Sequence, residues 1–247
     1  MKEVIFLRPK QGAFFMNDYD KTRLMIALTS ILIILIFVIK KLLPKNKQIT
    51  TKFIARTGVF SAISVILYTV PFLKFSVPFF PSFLEIHFDE VPAFIAGFAY
   101  GPLSAFFVIL IKTIVKLPVT NTMGVGELAD LLYSLAFVIP ASIIYRYHRS
   151  FKGAFFGLII ASVIQVLVAS IFTAFVMLDF YVFMMPGLSL EGILKMCQAI
   201  NPSVTSLGWT FALLVGLPFN AFKDVIIVVI TIILYKNTHR LIDRIAD

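Results

Sequence analysis

Cysteine occurs once in this 247-residue chain, at Cys197, and tryptophan once. A single thiol cannot close an internal disulfide or build a cysteine-rich metal site. The three histidines are scattered, and no H-E-x-x-H is present, so no metal-ligand spacing emerges and no metal is expected. There is no G-x-x-x-x-G-K-[ST] phosphate loop and no G-x-S-x-G. Enzyme readings therefore find little support. Active transport by this chain would draw its energy from another subunit or an ion gradient. Charge is scarce as well: Asp, Glu, Lys and Arg make up 14% of residues, against about a quarter in soluble domains. The net charge of +9 sits mostly in loops beside apolar segments, where it acts as a topology signal. No nucleic-acid partner is expected.

Apolar residues fill the remainder. The chain is 60% hydrophobic and holds 27 Phe. Charge-free runs extend from Leu24 to Ile39, from Val91 to Ile111 and from Gly153 to Leu178. About 20 such residues cross the hydrocarbon of a bilayer as a helix, which predicts an all-α integral membrane protein. Leu24 to Ile39 lies deep, and Lys40-Lys41 follows it like a stop-transfer flank, so a cleaved signal peptide is not expected. Seven segments emerge, at about 24–43, 53–73, 91–100, 101–117, 124–145, 153–180 and 207–235. Gly101-Pro102 separates the third from the fourth, because proline favours a helix start and disfavours helix in the residue before it. The 91–100 piece is too short to span and is expected to tuck against its neighbours. Three domains follow: an N-terminal extension with one hydrophobic helix over 1–50, a six-helix membrane domain over 51–240, and a cytoplasmic tail over 241–247.

Basic residues orient this bundle. The stretch 40–56 carries Lys40, Lys41, Lys45, Lys47, Lys52 and Arg56 without an acid, and 146–152 carries Arg146, Arg149 and Lys152. With Lys236, Arg240 and Arg244 they fall on one side if 91–117 dips in and returns, and that side is cytoplasmic by the positive-inside rule. The five basic residues among the first 23 then lie outside, a conflict that a surface-lying N-terminal segment would remove.

The same topology gathers polar side chains in the outer half. The loop "KFSVPFFPSFLEIHFDE" brings Glu85, His87, Asp89 and Glu90 among aromatics. Glu127 and Asp130 fall in the first turns of 124–145, Asp179 at the outer end of 153–180, and Asn220 and Lys223 on one face of the last segment. Ionisable groups in membrane segments usually face a cavity or a partner, so an outward-opening pocket with aromatic walls is expected. Plainer roles stand beside this one. Glu127 and Asp130 suit a helix N-terminus, Asp179 a helix end, and Lys223 an interface reached by snorkelling. His87 reads as an ordinary loop histidine, and Lys112 with Lys116 as headgroup anchors. Asp224 is expected to pair with a cation or face the core. Gly58-x-x-x-Ala62 permits close helix approach, a candidate contact face for another membrane subunit.

Three blocks, "FPSFLEIHFDEVPAFIAGFAYGPLSAFFVILIKTIV", "MGVGELADLLYSLAFVIPAS" and "LPFNAFKDVIIVVITIILYK", together resemble the riboflavin-specific S component of energy-coupling factor (ECF) vitamin transporters. The resemblance spans about 53–240 and implies a six-helix S-component bundle. It also implies a vitamin captured from outside, with the first outer loop, including Phe83 and Leu84, contributing to the pocket. Asn220 and Lys223 would hydrogen-bond the flavin. Asp179 and Asp130 stand where the family usually has Asn, an acceptor-only group replacing an amide that also donates. The implied ligand is riboflavin, carried as cargo, with no cofactor. The implied partners are an ECF transmembrane coupling subunit and two ATPase subunits, with Gly58 and Ala62 at the docking face, in the bacterial cytoplasmic membrane. The residues leave open an S component for another vitamin or for FMN, and a non-transport membrane subunit.

Overall fold

The computed structural model describes residues 50–246 apart from Pro186, with side chains as far as Asn237. The helix expected over 24–43 lies outside the described residues, as do most of the basic stretch before residue 50 and the side chains of the tail. The chain folds into helices α1 (Thr51–Thr69), α2 (Glu90–Tyr100), α3 (Pro102–Lys116), α4 (Val125–Tyr147), α5, α6 (Leu190–Ile200) and α7. Helix α5 joins Phe151–Phe172 to Leu178–Met184 through a π turn at Thr173–Met177. Helix α7 joins Trp209–Phe211 to Leu217–Ala246 through a π turn at Ala212–Gly216. Helices α1, α4, α5 and α7, and α3 with the turn that follows it, are long and apolar enough to cross a membrane.

Between α1 and α2 the chain makes a two-stranded antiparallel hairpin, β1 (Phe75–Ser76) with β2 (Glu85–Ile86), in which Phe75 faces Ile86. Sequence periodicity did not indicate these two-residue strands. The α2–α3 break falls where expected. Gly101 adopts φ 94°, a left-handed value that favours glycine, and Pro102 opens α3. Helix α2 is tucked inside the bundle, with ten of its eleven residues buried. The 181–206 stretch contains α6, whose start is capped by the Ser189 hydroxyl accepting from the Gly192 amide.

The packing suits lipid and not water. Helix α1 buries only Thr57, Ser61, Ser64 and Tyr68, while Ile54, Val59, Ile63 and Ile66 are exposed. Its hydroxyls bind inward: Thr57 to the Ser104 hydroxyl at 2.8 Å, and Ser64 to the Asp89 carbonyl at 2.6 Å. Helix α5 buries a seam of small residues, Gly153, Ala154, Gly157, Ala161 and Ala169, which lets α4 approach closely. At the end of the bundle carrying Arg146, Arg149 and Lys152, the Tyr145 and Tyr235 hydroxyls meet at 3.0 Å. The hairpin and α6 lie at the opposite end. Near the middle, Phe94 meets Phe137 edge-on, with centroids 4.7 Å apart.

Gly97 of α2 packs tightly against α3 and α4. A Cβ there would stand 2.0 Å from Ser142 Oγ, 3.0 Å from Ser142 Cβ and 3.1 Å from Ala105 Cβ. Gly97→Ala is expected to destabilise the fold by about 1–3 kcal/mol, seen as a lower melting temperature in detergent. Adding Ser142→Ala should recover part of the loss by removing the nearest atom.

Candidate functional site

Two adjacent acids begin the site. Asp89 precedes α2 and Glu90 opens it, both fully buried, because the short helix starts inside the bundle. Successive side chains at a helix start diverge by about 100°, so the two carboxylates go different ways. Glu90 Oε1 accepts from the Lys223 ammonium of α7 at 2.6 Å. Asp89 accepts from Lys112 of α3 and bonds His87. Lys112 also donates to Asp130 Oδ2 at 2.8 Å and to the Ser134 hydroxyl at 2.9 Å, both on α4.

This network corrects three expectations. Lys112 is wholly buried and Lys116 nearly so, so neither is a headgroup anchor. Their one-turn spacing places both ammonium groups over the Tyr68 ring, at 4.9 and 5.7 Å from its centroid. His87 is not an ordinary loop residue: it bonds Asp89, lies 3.7 Å from Asp130 and packs on Tyr68 at 5.0 Å. Burial, the largest effect, and Lys223 would lower the His87 imidazole, but the Asp89 and Asp130 carboxylates together outweigh them and hold the group above the ordinary histidine value. Burial would likewise raise the Asp89 carboxyl, and Lys112 with His87 hold it well below the usual carboxylate range. His87, Asp89 and Asp130 bring ligand atoms within 4.8 Å of one another. The Lys112 ammonium already supplies the positive charge between the two acids.

Above this floor lies a cavity of ≈ 320 Å³, large enough for a small organic ligand. Six of the residues singled out from sequence line it: Asn220, Lys223, Glu127, Asp130, Phe83 and Leu84. Asp179 does not. It sits two positions before Tyr181, which does line the cavity, and two helical steps turn a side chain by about 200° to the exposed side of α5. Glu127 is 3% exposed, and its Oε2 accepts from the Thr120 hydroxyl at 2.7 Å and the Thr122 hydroxyl at 2.9 Å. The same hydroxyls accept the amides of Gly124 and Gly126, which fixes the start of α4. The Asn220 amide donates to the Gly216 carbonyl at 2.8 Å, and its oxygen accepts from Gln165 at 3.3 Å. The mouth carries a further pair, Lys74 with Glu85 at 2.6 Å across the hairpin.

Asp224 points elsewhere. It is fully buried, accepts from the Ser162 hydroxyl of α5 at 2.9 Å, and does not line the cavity. Gly58 and Ala62 lie on the exposed face of α1, where a Cβ at Gly58 would meet nothing within 4 Å. Sequence reasoning missed Tyr68, Lys74, Lys116, Thr122 and Tyr181 as lining residues. Only the lysines carried a signal, as ionisable groups in or beside apolar helices.

Membrane-crossing helices and an open-mouthed cavity with apolar and polar walls near one end of the bundle define the class, a membrane protein with a small-molecule site. Residues 52–235 match the family "ECF transporter, substrate-specific component", and the chain belongs to that family. It is 30% identical over 203 residues to "Riboflavin transporter RibU" of Staphylococcus aureus (strain TCH60), covering 82% of this chain and 96% of that protein. It is 27% identical over 176 residues to "Riboflavin transporter FmnP" of Bacillus subtilis (strain 168), covering 70% and 85%. A solved S component of a bacterial ECF transporter superimposes with a TM-score of 0.59 at 29% identity, over 77% of this chain and 96% of that one. The chain is thus a multi-pass membrane protein and the substrate-specific component of a transporter.

Two outcomes test the charge network. Lys112→Met leaves Asp89 and Asp130 facing each other without their cation, and is expected to cost about 3–5 kcal/mol, whereas Asp130→Asn keeps an acceptor for Lys112 and costs less. Unfolding midpoints of the purified variants would rank them. Because the His87 value is raised on folding, the stability it contributes is complete below about pH 6.5 and is lost as pH rises through the elevated value. The melting temperature of wild type relative to His87→Gln should fall across that window.

Proposed function

We propose that this chain captures riboflavin in the cavity from outside the cell and delivers it across the bacterial cytoplasmic membrane. The observation that carries the proposal is the cavity's mixture of groups. Phe83, Leu84 and Phe219 offer apolar surface, while Asn220, Lys223, Glu127 and Thr122 converge with both donors and acceptors. An isoalloxazine ring needs flat apolar contact and presents carbonyl acceptors beside an N–H donor, and its ribityl tail carries hydroxyls that do both. Two relatives carrying the riboflavin name support the same ligand. In this reading Lys223, already oriented by Glu90, and Asn220, already oriented by Gly216 and Gln165, donate to the ring. Glu127, acceptor-only when ionised, takes a ligand N–H or O–H. Asp130 is committed to Lys112, so an acid at this position adds no unpaired charge to the site.

The basic end of the bundle faces the cytoplasm by the positive-inside rule. Family membership supports an ECF coupling subunit and two ATPase subunits as the partners. The chain has no phosphate loop of its own, so ATP hydrolysis falls to those subunits. The exposed, small-residue face of α1 at Gly58 and Ala62 is the docking surface in this reading. The loaded component reorients there to open its cavity inward.

Purified protein is expected to carry riboflavin or to bind it with quenched flavin fluorescence. Asn220→Ala should weaken binding by roughly three- to ten-fold, the worth of one neutral hydrogen bond. Lys223→Gln combined with Glu90→Gln leaves no buried charge unpaired, and should weaken binding by roughly ten- to a hundred-fold. Colourless protein without riboflavin binding, or a different vitamin found by mass spectrometry, would sink the proposal.

A further inference from the structure

Four lysines stand in or behind the cavity wall, and three have acids. Lys74 pairs with Glu85 at 2.6 Å, Lys112 with Asp130 at 2.8 Å, and Lys223 with Glu90 at 2.6 Å. Lys116 lines the cavity at 7% exposure, and among the described residues no carboxylate pairs with it. Its ammonium stands over the Tyr68 ring, at 5.7 Å from the centroid, and Lys112 already occupies that ring at 4.9 Å. A ring shared between two ammonium groups is a weak partner for a charge. The ammonium borders the cavity without a carboxylate partner among the described residues, so it is free to donate to an acceptor that arrives from outside the chain.

The kind of acceptor follows from the rest of the wall. Three basic residues line the cavity, Lys74, Lys116 and Lys223, and three acids, Glu85, Glu127 and Asp130. Glu127 is held by hydroxyls alone among the described residues and has no cation beside it. A doubly charged phosphate placed beside that carboxylate would meet a like charge, which repels it. A neutral oxygen meets no such penalty and still accepts from an ammonium.

Resting on the reading that the cavity takes riboflavin, we propose that Lys116 is a specificity-determining residue whose ammonium donates to an uncharged carbonyl or hydroxyl oxygen of the ligand. The ligand completes the hydrogen bonding of this lysine, as Glu85, Asp130 and Glu90 complete that of the other three.

The test uses the full chain in nanodiscs, with riboflavin and FMN each titrated by flavin fluorescence. Wild type is compared with Lys116→Met, Lys116→Arg and, as a surface control, Lys195→Met on α6. Lys116→Met is expected to weaken riboflavin binding by roughly ten- to a hundred-fold, the worth of a hydrogen bond to a charged group. The melting temperature of the ligand-free protein should hold, because no ion pair of Lys116 to another described residue has been removed. Lys116→Arg should retain part of the affinity, and Lys195→Met should change neither readout. A loss of affinity without a loss of stability separates a ligand contact from a packing role, which would lower both. Unchanged riboflavin binding in Lys116→Met overturns the proposal while wild-type binding leaves the functional reading standing. So does a loss confined to FMN, which would place a phosphate at Lys116. A wild type that binds no riboflavin overturns the functional reading and this assignment with it.

Discussion

The pairing of Asp89 and Glu90 with lysines from separate helices is the constraint on which the rest of the site depends. Two adjacent carboxylates stand wholly buried at the start of an eleven-residue helix, one held by Lys112 of α3 and the other by Lys223 of α7. Taking such groups from water costs several kcal/mol per ion, and their attraction offsets this only when geometry and hydrogen bonding are complete. Completeness here draws in Asp130, Ser134 and His87. The arrangement therefore ties the hairpin segment, α2, α3, α4 and α7 to one place. Helix α2 must be short for this to happen. A spanning helix would start near headgroups and water, and its first acids would need no buried partners.

Above that fixed floor, the helices depart from regular geometry where they border the cavity. The π turns at Thr173–Met177 in α5 and Ala212–Gly216 in α7 pack against each other. Each inserts an extra residue into a turn and so shifts the face that follows. Pro218 comes just after the second turn and cannot donate an amide to the preceding turn. The Asn220 side chain then bonds back to the Gly216 carbonyl. A residue that lines the cavity is thus also anchored to the backbone of the irregular helix that carries it. Its position is set by helix chemistry before any ligand is present.

These particulars explain what could be read from the chain. The Gly101-Pro102 break was legible because both residues act locally, one through φ and the other through its ring. The gathering of Glu127, Asp130, Asn220 and Lys223 at one end was legible because alternating spans fix depth. The partners of the lysines were not, since Glu90 and Lys223 are 133 positions apart and nothing in either neighbourhood names the other. Lys112 and Lys116 misled for a related reason: near a helix end, a snorkelling lysine and a buried one have the same sequence. Asp179 was misplaced around its helix, because depth can be counted from hydropathy while the face presented after a π turn cannot. The two-residue strands of the hairpin are too short for any alternation to register.

Helix α1 shows how the bundle combines contacts to a fixed site with an outward apolar surface. Its inward face is a stripe of Thr57, Ser61, Ser64 and Tyr68, and its outward face is Ile54, Val59, Ile63 and Ile66. In water this would be inverted and unstable. In lipid it is favoured, because the hydroxyls find partners inside and the aliphatic groups lose nothing by facing acyl chains. Close association on the outer face must then come from packing, for which a bare Gly58 beside Ala62 leaves room. The inner face meanwhile reaches the site directly, through the Ser64 bond to the Asp89 carbonyl and the Tyr68 ring beneath two ammonium groups. One helix therefore contacts both the charge network and the lipid-facing surface. Helix α1 is thus joined to the site by a hydroxyl and a ring, while buried ion pairs hold the start of α2 in place.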